Sequence, residues 1–370
     1  MEPIQTYQDL LGFKTLTPVQ KTVIPKLLKK QDVIVSSPTG SGKSHAFILP
    51  LLTHIDLDKN DVQVTIIAPT AMLAEQLYQM TMDVITKASQ DIRVMLIAGG
   101  KDKVRAIKKL LHQQPHIVIG TPGRLHDLAL KERVLKLHTT KHLILDEADM
   151  TLDAGFLPLI DGLARTMPKT LHMGVFSATI PQALEPFLKK YLHQPLRIDL
   201  TKDVLKQLKI DHRFVFTDAP RRLEQLKYIL SQLNPYLALI FTAHKEDVAR
   251  IHQMMTSMGL NAHQLSGDTS ERERKQLRRD LDAMRVQYLI ASDIAARGLD
   301  LDDVSHVINY TLPKDMTFYL HRIGRTGRMG KTGEAITLYA PEDVESLRKL
   351  RPYGIDIDAL MLANKKRKRK

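Results

Sequence analysis

The sequence predicts an α/β protein with two domains in tandem, each built on a mainly parallel sheet flanked by helices. The chain has 370 residues, whereas a single hydrophobic core normally stops growing near ~250 residues. Short β-branched or apolar runs alternate with amphipathic stretches, which is the pattern of βαβ units whose strands are buried on both faces. The alternation pauses near residue 200 and then begins again, so two cores are expected.

The strand-like runs fall into two series. The first lies at residues 33–35, 64–67, 94–97, 117–119, 143–145, 174–176 and 197–199. The second lies at residues 212–216, 237–241, 288–291, 307–309 and 335–338. We therefore expect a first domain at residues 1–200, a polar linker at 201–208, a second domain at 209–358 and a basic, disordered tail at 359–370.

Composition narrows the class of protein. The chain has no cysteine and no apolar run of the ~20 residues that a membrane span needs, so we expect a cytoplasmic protein without disulfide or zinc-thiolate chemistry. Its net charge is +13, which favours a nucleic-acid partner. The last six residues, 365–370, are all basic. They fit an RNA-tethering tail, a nuclear localisation signal or a solvated end without a task.

A glycine-rich segment at residues 37–44 follows the first strand-like run and precedes a helical stretch. It ends in the Gly-Lys-Ser of a P-loop, although Ser37 replaces the consensus first glycine. In a P-loop Lys43 reaches the β and γ phosphates and Ser44 binds Mg²⁺. The residues that would let backbone N–H groups wrap the phosphates are Thr39, Gly40, Ser41 and Gly42. A turn that merely contains glycine would explain neither the flanking strand and helix nor the Gly-Lys-Ser ending.

A carboxylate cluster follows the strand-like run at 143–145. Asp146 is placed to hold Mg²⁺ through water, as in a Walker B motif, and Glu147 to orient and deprotonate the attacking water. An acidic helix start would explain the cluster alone but not its pairing with a P-loop. The sequence therefore predicts a Mg²⁺-dependent site that binds the β and γ phosphates of a ligand.

The tetrapeptide Asp146-Glu147-Ala148-Asp149 is the one that names the DEAD-box RNA helicases, and the chain resembles that family over nearly its whole length. Phe13 and the segment 17–20 resemble the Q motif, whose glutamine reads adenine, so Gln20 would select ATP over GTP. Ser177-Ala178-Thr179 resembles the motif that links hydrolysis to strand separation. The first-domain residues implied in contact with the RNA backbone are Pro69, Thr70, Gly99, Gly100, Thr121, Pro122, Gly123 and Arg124.

The second domain carries the later motifs. Residues 291–300 resemble motif V, and residues 321–328, His-Arg-Ile-Gly-Arg-Thr-Gly-Arg, match motif VI. The resemblance implies that Arg325 and Arg328 are arginine fingers and that Asp300 contacts the nucleotide. It implies RNA contacts for Arg274 and Ser292. The residues implied in coupling the motifs are Asp149, Ser177, Thr179 and His321.

The resemblance implies two RecA-like domains with a nucleotide cleft between them and an RNA-dependent ATPase that acts as a monomer. Its partner would be RNA, single-stranded or in short duplexes and bound without regard to sequence, in ribosomal or mRNA-decay complexes. Two alternatives stay open: an RNA clamp that uses ATP only to close, and a DNA translocase of the same superfamily. Five changes in the RNA motifs, at Ala71, Met72, Ala243, His244 and Glu271, predict a looser grip on RNA with intact ATP chemistry.

Overall fold

The computed structural model of the chain describes residues 2–38, 40–99, 102–202, 204, 208–218, 220–292, 304–313, 315–327 and 331–360. By its internal contacts the chain divides into two units, Met1–Thr201 and Lys202–Lys370, so the division falls at the start of the expected linker. Four predicted site residues, Thr39, Gly100, Asp300 and Arg328, lie outside the described residues. The tail from residue 361 also lies outside them.

The first unit is a seven-stranded sheet in which every pairing is parallel. Its strands are β1 Val33–Ser36, β2 Val64–Ile67, β3 Val94–Ile97, β4 Ile117–Gly120, β5 His142–Leu145, β6 His172–Ser177 and β7 Leu196–Asp199. Its helices are α1 Glu2–Leu10, α2 Pro18–Leu28, α3 Lys43–Leu52, α4 Ala71–Lys87, α5 Lys103–His112, α6 Pro122–His126, α7 Ala148–Asp153, α8 Leu157–Ala164 and α9 Glu185–Tyr191. A π-helical turn, Asp127–Lys131, and two 3-10 turns, Leu137–Thr139 and Gln182–Leu184, complete it.

The strand order of the first sheet is β3-β4-β2-β5-β6-β1-β7. The central strands are buried on both faces, which is why their sequences are continuous apolar runs and not alternating ones. On one face Leu143 and Leu145 belong to a core with Ile160 and Leu163 of α8. Because parallel strands place their carboxyl ends at one edge, the loops after β1 to β6 meet along that edge.

The second unit is a six-stranded, all-parallel sheet in the order β10-β11-β9-β12-β13-β8. Its strands are β8 Lys209–Phe216, β9 Ala238–Thr242, β10 Ala262–Leu265, β11 Tyr288–Ser292, β12 His306–Asn309 and β13 Thr332–Tyr339. Its described helices are α10 Arg222–Ser231, α11 Lys245–Ser257, α12 Glu271–Asp282, α13 Met316–Ile323 and α14 Val344–Arg348, with 3-10 turns at Pro341–Asp343 and Arg351–Tyr353.

Helices cover both faces of the second sheet. Leu226 of α10 and Ile251 of α11 pack in one core, and Tyr319 of α13 and Leu347 of α14 pack in another. The predicted fold class, two parallel α/β units in tandem, is confirmed. No helix among the described residues is long and apolar enough to cross a membrane.

Candidate active site

The predicted P-loop leaves the sheet at the end of β1. The Ser37 N–H donates to the Ser177 carbonyl at the end of β6, 3.0 Å away, so the loop starts in register with the neighbouring strand. Gly42, with φ of +92°, precedes the first residue of α3. A Cβ on Gly42 would lie 2.8 Å from Gln20 Nε2 and 2.9 Å from Thr17 Oγ1. Both its backbone conformation and its surroundings therefore require glycine.

Lys43 is the buried cation of this loop, with 5% of its surface exposed. Its Nζ donates to the Ser37 carbonyl at 2.8 Å and lies 3.3 Å from Glu147 Oε1. These two acceptors hold the ammonium between the P-loop and the end of β5. A buried ammonium fixed by neighbours in this way is suited to binding a phosphate oxygen as a point charge.

Asp146 and Glu147 follow β5 directly. The Asp146 N–H donates to the Ile67 carbonyl of β2 at 2.9 Å, which continues the sheet by one residue. Burial, and then the neighbouring Glu147 carboxylate, raise the pKa of Asp146 to about 7. Glu147 has φ of 48° and ψ of 56°, a left-handed conformation unusual outside glycine, at the start of α7. This conformation turns the chain away from the sheet immediately after the two carboxylates.

The oxygen atoms near Asp146 are suited to bind a magnesium ion that arrives with a nucleotide. Asp146 Oδ1 is buried and has no hydrogen-bond partner among the described residues, and the same holds for Ser41 Oγ. A divalent cation beside Asp146 would favour its ionised form against the effect of burial. No group of three or more histidine, cysteine, aspartate or glutamate side chains in the described part of the chain could hold a metal. That Ser44 and Asp146 share the ion with phosphate and water, as Mg²⁺ prefers, stays a prediction.

The residues predicted to couple the motifs of the first unit contact each other. The Asp149 N–H donates to Ser177 Oγ at 3.1 Å, and the Thr179 hydroxyl donates to Asp149 Oδ2 at 3.2 Å. Asp149 and Ser177 are both buried. A displacement of β6 and the loop after it would therefore be transmitted to the segment that carries Asp146 and Glu147.

Gln20 joins the expected adenine-binding segment to the P-loop. It lies in the first turn of α2, where its Oε1 accepts from the Thr17 N–H at 2.9 Å and its Nε2 donates to the Gly42 carbonyl at 3.4 Å. The amide keeps one N–H and one lone pair, which is the pair of groups that reading an adenine edge requires. Phe13 meets His45 of α3 edge-on, with ring centroids 5.0 Å apart.

The predicted RNA residues of the first unit occupy a different part of the same edge. Thr70 follows β2 and begins α4, where its hydroxyl accepts from the Leu73 N–H at 3.2 Å. Gly99 follows β3, and residues 121–124 follow β4 and form the start of α6. Since β3, β4 and β2 are neighbours, these residues lie side by side. We call the ends of β2, β3 and β4 the RNA edge, after the RNA contacts predicted there, and the ends of β1, β5 and β6 the nucleotide edge, after the predicted P-loop and carboxylates.

The predicted RNA residues of the second unit lie after β10 and at the end of β11. Arg274, in α12, donates from Nε to the Thr269 carbonyl at 3.1 Å and from Nη2 to the Ser266 carbonyl at 2.9 Å. Two of the Arg274 N–H groups therefore stabilise the loop after β10. Ser292 is the last residue of β11 and is buried.

Motif VI contains two described arginines in different environments. Arg325 is half-buried, and its N–H donates to the Arg322 carbonyl at 3.2 Å. Arg322, which the sequence analysis did not single out, is 2% exposed. Its Nη1 donates to Asn309 Oδ1 at 3.1 Å and to the Thr311 carbonyl at 2.6 Å. Its position between the core residues Tyr319 and Ile323 of one helix is a signal that could have identified it as structural. His321 meets Phe318 edge-on at 5.6 Å, and its coupling role stays a prediction.

Family models match both units of the chain. The DEAD/DEAH box helicase model matches residues 17–187, and the helicase conserved C-terminal domain model matches residues 221–330. The chain is 43% identical over 357 residues to the DEAD-box ATP-dependent RNA helicase CshB of Listeria monocytogenes, covering 96% of this chain and 82% of that protein. It is 44% identical over 353 residues to CshB of Bacillus subtilis, covering 95% and 80%.

The fold is similar to that of solved helicase structures. One is Dbp5 of S. cerevisiae bound to RNA and ADP BeF3, with a TM-score of 0.82, 26% identity and coverage of 96% of this chain and 92% of that one. The chain therefore belongs to the DEAD-box family of ATP-dependent RNA helicases.

Proposed function

We propose that this chain couples RNA-stimulated ATP hydrolysis to closure of its two units, and that closure separates short RNA duplexes or remodels RNA–protein complexes. The observation that carries the proposal is the linked set of buried groups on the nucleotide edge. Lys43 pairs with Glu147, and Asp149, two residues on, is bonded to Ser177 and Thr179. Chemistry at the phosphate and movement of the segment after β6 are thereby connected through a few hydrogen bonds.

In the proposed mechanism each residue of the nucleotide edge has one task. Lys43 and the backbone of the P-loop bind the phosphates. Glu147 accepts the proton of the attacking water, because its carboxylate lies beside the ammonium that marks the phosphate position. A magnesium ion held by Ser44 and Asp146 would neutralise charge on the phosphates. Gln20 selects adenine.

Arginines of the second unit complete the chemistry. Charge accumulates on the phosphate as its bond breaks, and an arginine that compensates this charge is worth ~10³ to 10⁵ in rate. We assign this task to Arg325, together with Arg328. Because both belong to the second unit, hydrolysis requires closure, and RNA that contacts both units favours it.

The RNA edge supports recognition of the backbone without reading bases. Its groups are helix starts, small residues and a single described arginine, Arg124, and these suit phosphate oxygens. The RNA present in the Dbp5 structure supports the assignment of RNA as ligand. We further propose that the chain acts as a monomer in the cytoplasm, on RNA of ribosomal or mRNA-decay complexes, and that its RNA grip is loose owing to Ala71, Met72, Ala243, His244 and Glu271.

The decisive experiment measures ATP turnover with RNA, with DNA of the same sequence and with neither. Stimulation by RNA alone is expected. Stimulation by DNA would instead indicate a DNA translocase, and no turnover in any mixture would indicate an idle clamp.

The Glu147→Gln variant tests the assigned base. It should retain ATP and RNA with little turnover, because an amide cannot accept the proton from water. Glu224→Gln, an exposed carboxylate in α10, is the matched control and should hydrolyse ATP like the parent. Unchanged hydrolysis by Glu147→Gln would show that another group is the base.

A further inference from the structure

A cluster of charged side chains joins the residues after β3 to those after β4 on the RNA edge. Lys103 is the first residue of α5, four positions after Gly99. Its Nζ lies 2.7 Å from Asp127 Oδ2 and 2.7 Å from Glu132 Oε1. Both carboxylates follow α6, the helix that carries Arg124. One ammonium thus links two neighbouring loops of the RNA edge.

A π-helical turn produces the pairing of the two carboxylates. The Glu132 N–H donates to the Asp127 carbonyl at 2.9 Å, an i→i+5 bond. Residues five apart point to different sides of an α-helix, whereas the wider turn brings them onto one side. Asp127 and Glu132 therefore reach the same lysine. Such turns are rare and occur frequently at functional sites.

Asp127 lies between two competing cations. The oxygen that Lys103 contacts at 2.7 Å, Oδ2, is also 3.9 Å from Arg124 Nη1. The hydrogen bond from Lys103 is the largest cause of the lowered pKa of Asp127. Lys131 is 4.0 Å from the other oxygen, and its side chain is 70% exposed. Lys103 is thus the cation that holds this carboxylate, and Arg124 is its second neighbour.

We propose that Lys103 is a positioning residue for RNA binding, which keeps Asp127 from forming a hydrogen-bonded pair with Arg124 and so leaves that guanidinium available to a phosphate of the RNA backbone. A guanidinium forms bidentate pairs with carboxylates and with phosphates, so a carboxylate bound to it competes with a phosphate for its N–H groups and its charge. Without the lysine, Asp127 would turn to Arg124 and occupy the groups that RNA needs. The proposal rests on the proposed RNA contact of Arg124.

The test compares Lys103→Met with Lys108→Met. Lys108 is exposed on the same helix and forms no ion pair with a described residue, so its loss changes the net charge equally. Affinity for labelled single-stranded poly(U) is measured by fluorescence anisotropy with a non-hydrolysable ATP analogue. We expect binding about tenfold weaker for Lys103→Met and within about twofold of the parent for Lys108→Met. The Michaelis constant for RNA should rise in the same proportion, while kcat at saturating RNA and the Michaelis constant for ATP stay unchanged.

Removing the carboxylate should rescue the lysine variant. The Lys103→Met/Asp127→Asn double variant is expected to bind poly(U) like the parent, since no carboxylate remains to occupy Arg124. Asp127→Asn alone should bind at least as tightly as the parent. If the double variant stays as weak as Lys103→Met, or if Asp127→Asn alone is equally weak, the cluster merely ties the two loops together and the proposal is overturned.

Arg124→Ala separates this proposal from the one on which it rests. If Arg124→Ala binds poly(U) as tightly as the parent, the RNA contact of Arg124 is wrong and the role of Lys103 is wrong with it. If Arg124→Ala is weak but Lys103→Met is normal, only the role of Lys103 is refuted.

Discussion

The two sheets repeat one strand order, yet the predicted P-loop and its carboxylate pair both follow strands of the first sheet. Strands β1 to β6 lie in the order 3-4-2-5-6-1, and β8 to β13 lie in the corresponding order 10-11-9-12-13-8. The correspondence extends to single hydrogen bonds. Ser37 donates to Ser177 at 3.0 Å after β1, and Thr217 donates to Tyr339 at 2.9 Å after β8.

The ends of β5 and β12 occupy corresponding positions in the two sheets but carry different side chains. Asp146, after β5, corresponds to Tyr310, after β12, and each N–H donates to a neighbouring strand at 2.9 Å. The carboxylate is thus replaced by a buried phenol. On the RNA side both units keep candidate contacts, after β2 to β4 and after β9 to β11. We conclude that this fold supplies positions for side chains at the ends of its parallel strands. The side chains found there decide whether the site catalyses a reaction or only binds a ligand.

The strongest test of this difference asks whether catalysis needs an arginine of the second unit. Arg325→Ala should lower RNA-stimulated kcat by about 10³-fold, because charge on the phosphate is left uncompensated. Arg322→Ala, three residues earlier, should instead lower the free energy of unfolding by about 2 kcal/mol, because it leaves buried carbonyl oxygens without donors. ATP turnover and thermal unfolding followed by circular dichroism distinguish the two. Normal turnover by Arg325→Ala would contradict the division of labour.

Lys43→Ala tests whether the phosphate is bound at the first edge only. We expect kcat/KM for ATP to fall by about 10² to 10³, as when one preorganised donor to a developing charge is removed. Lys227 is exposed in α10, the helix that follows β8 as α3 follows β1. Lys227→Ala should leave kcat/KM within about twofold of the parent. A comparable loss in both variants would show that the second edge also binds nucleotide.

Two corresponding strand starts, those of β5 and β12, should also differ in their response to acid. His142 begins β5 and is stacked on His54, with centroids 4.9 Å apart. Burial, followed by repulsion from His54, lowers its pKa to about 3. Its counterpart His306 begins β12 and lies 3.3 Å from Glu334 on β13, and this contact lowers the pKa of Glu334.

Both groups contribute stability that is lost as the pH falls, but over different ranges of pH. Below the ordinary histidine pKa of about 6.5, His142 binds a proton in the unfolded chain but stays neutral in the folded protein. This difference should lower the free energy of unfolding of the first unit by about 2 kcal/mol at about pH 5. The Glu334 contribution is present above the ordinary glutamate pKa and is lost only below it. Hydrogen exchange read by mass spectrometry for each unit measures the difference. His142→Phe should lose about 2 kcal/mol less stability than the parent between pH 7 and pH 5, whereas His306→Phe should lose as much as the parent; an unchanged pH dependence for His142→Phe would contradict this account.

The smallest expected effect concerns base selection. Gln20→Ala should reduce the preference for ATP over GTP by about tenfold, the worth of one or two hydrogen bonds. Competition between the two nucleotides in the ATPase assay measures it, with Gln113→Ala, an exposed amide, as the control. Equal use of GTP and ATP by the parent would refute the role of Gln20 outright.

Much of the fold could be predicted from hydrophobic pattern alone. The runs at 64–67 and 117–119 became central strands because continuous branched apolar residues fit a sheet covered on both faces. The strand Ala262–Leu265 was missed, since it lies at the edge of its sheet and only Leu265 is buried. An edge strand buries few of its side chains, so the hydrophobic pattern of the sequence does not predict it.

The candidate site likewise has a part that could be predicted from the sequence and a part that could not. The Gly-Lys-Ser ending located Lys43 because the chemistry and the backbone of a P-loop are local in sequence. The ammonium's contact with Glu147 joins residues more than 100 positions apart and depends on the strand order. The inward-facing guanidinium of Arg322 and the π turn after α6 likewise depend on packing, which sequence motifs do not encode.

The position of β1 has a consequence for synthesis on the ribosome. β1 is translated before the other strands of its sheet, but its partners are β6 and β7, with Val33 beside Gly174 and Leu196. A nascent chain therefore exposes the glycine-rich loop for most of the time that the first unit takes to emerge. The loop can be anchored only when β6 has left the tunnel, so the nucleotide-binding part of this unit is completed late in its translation.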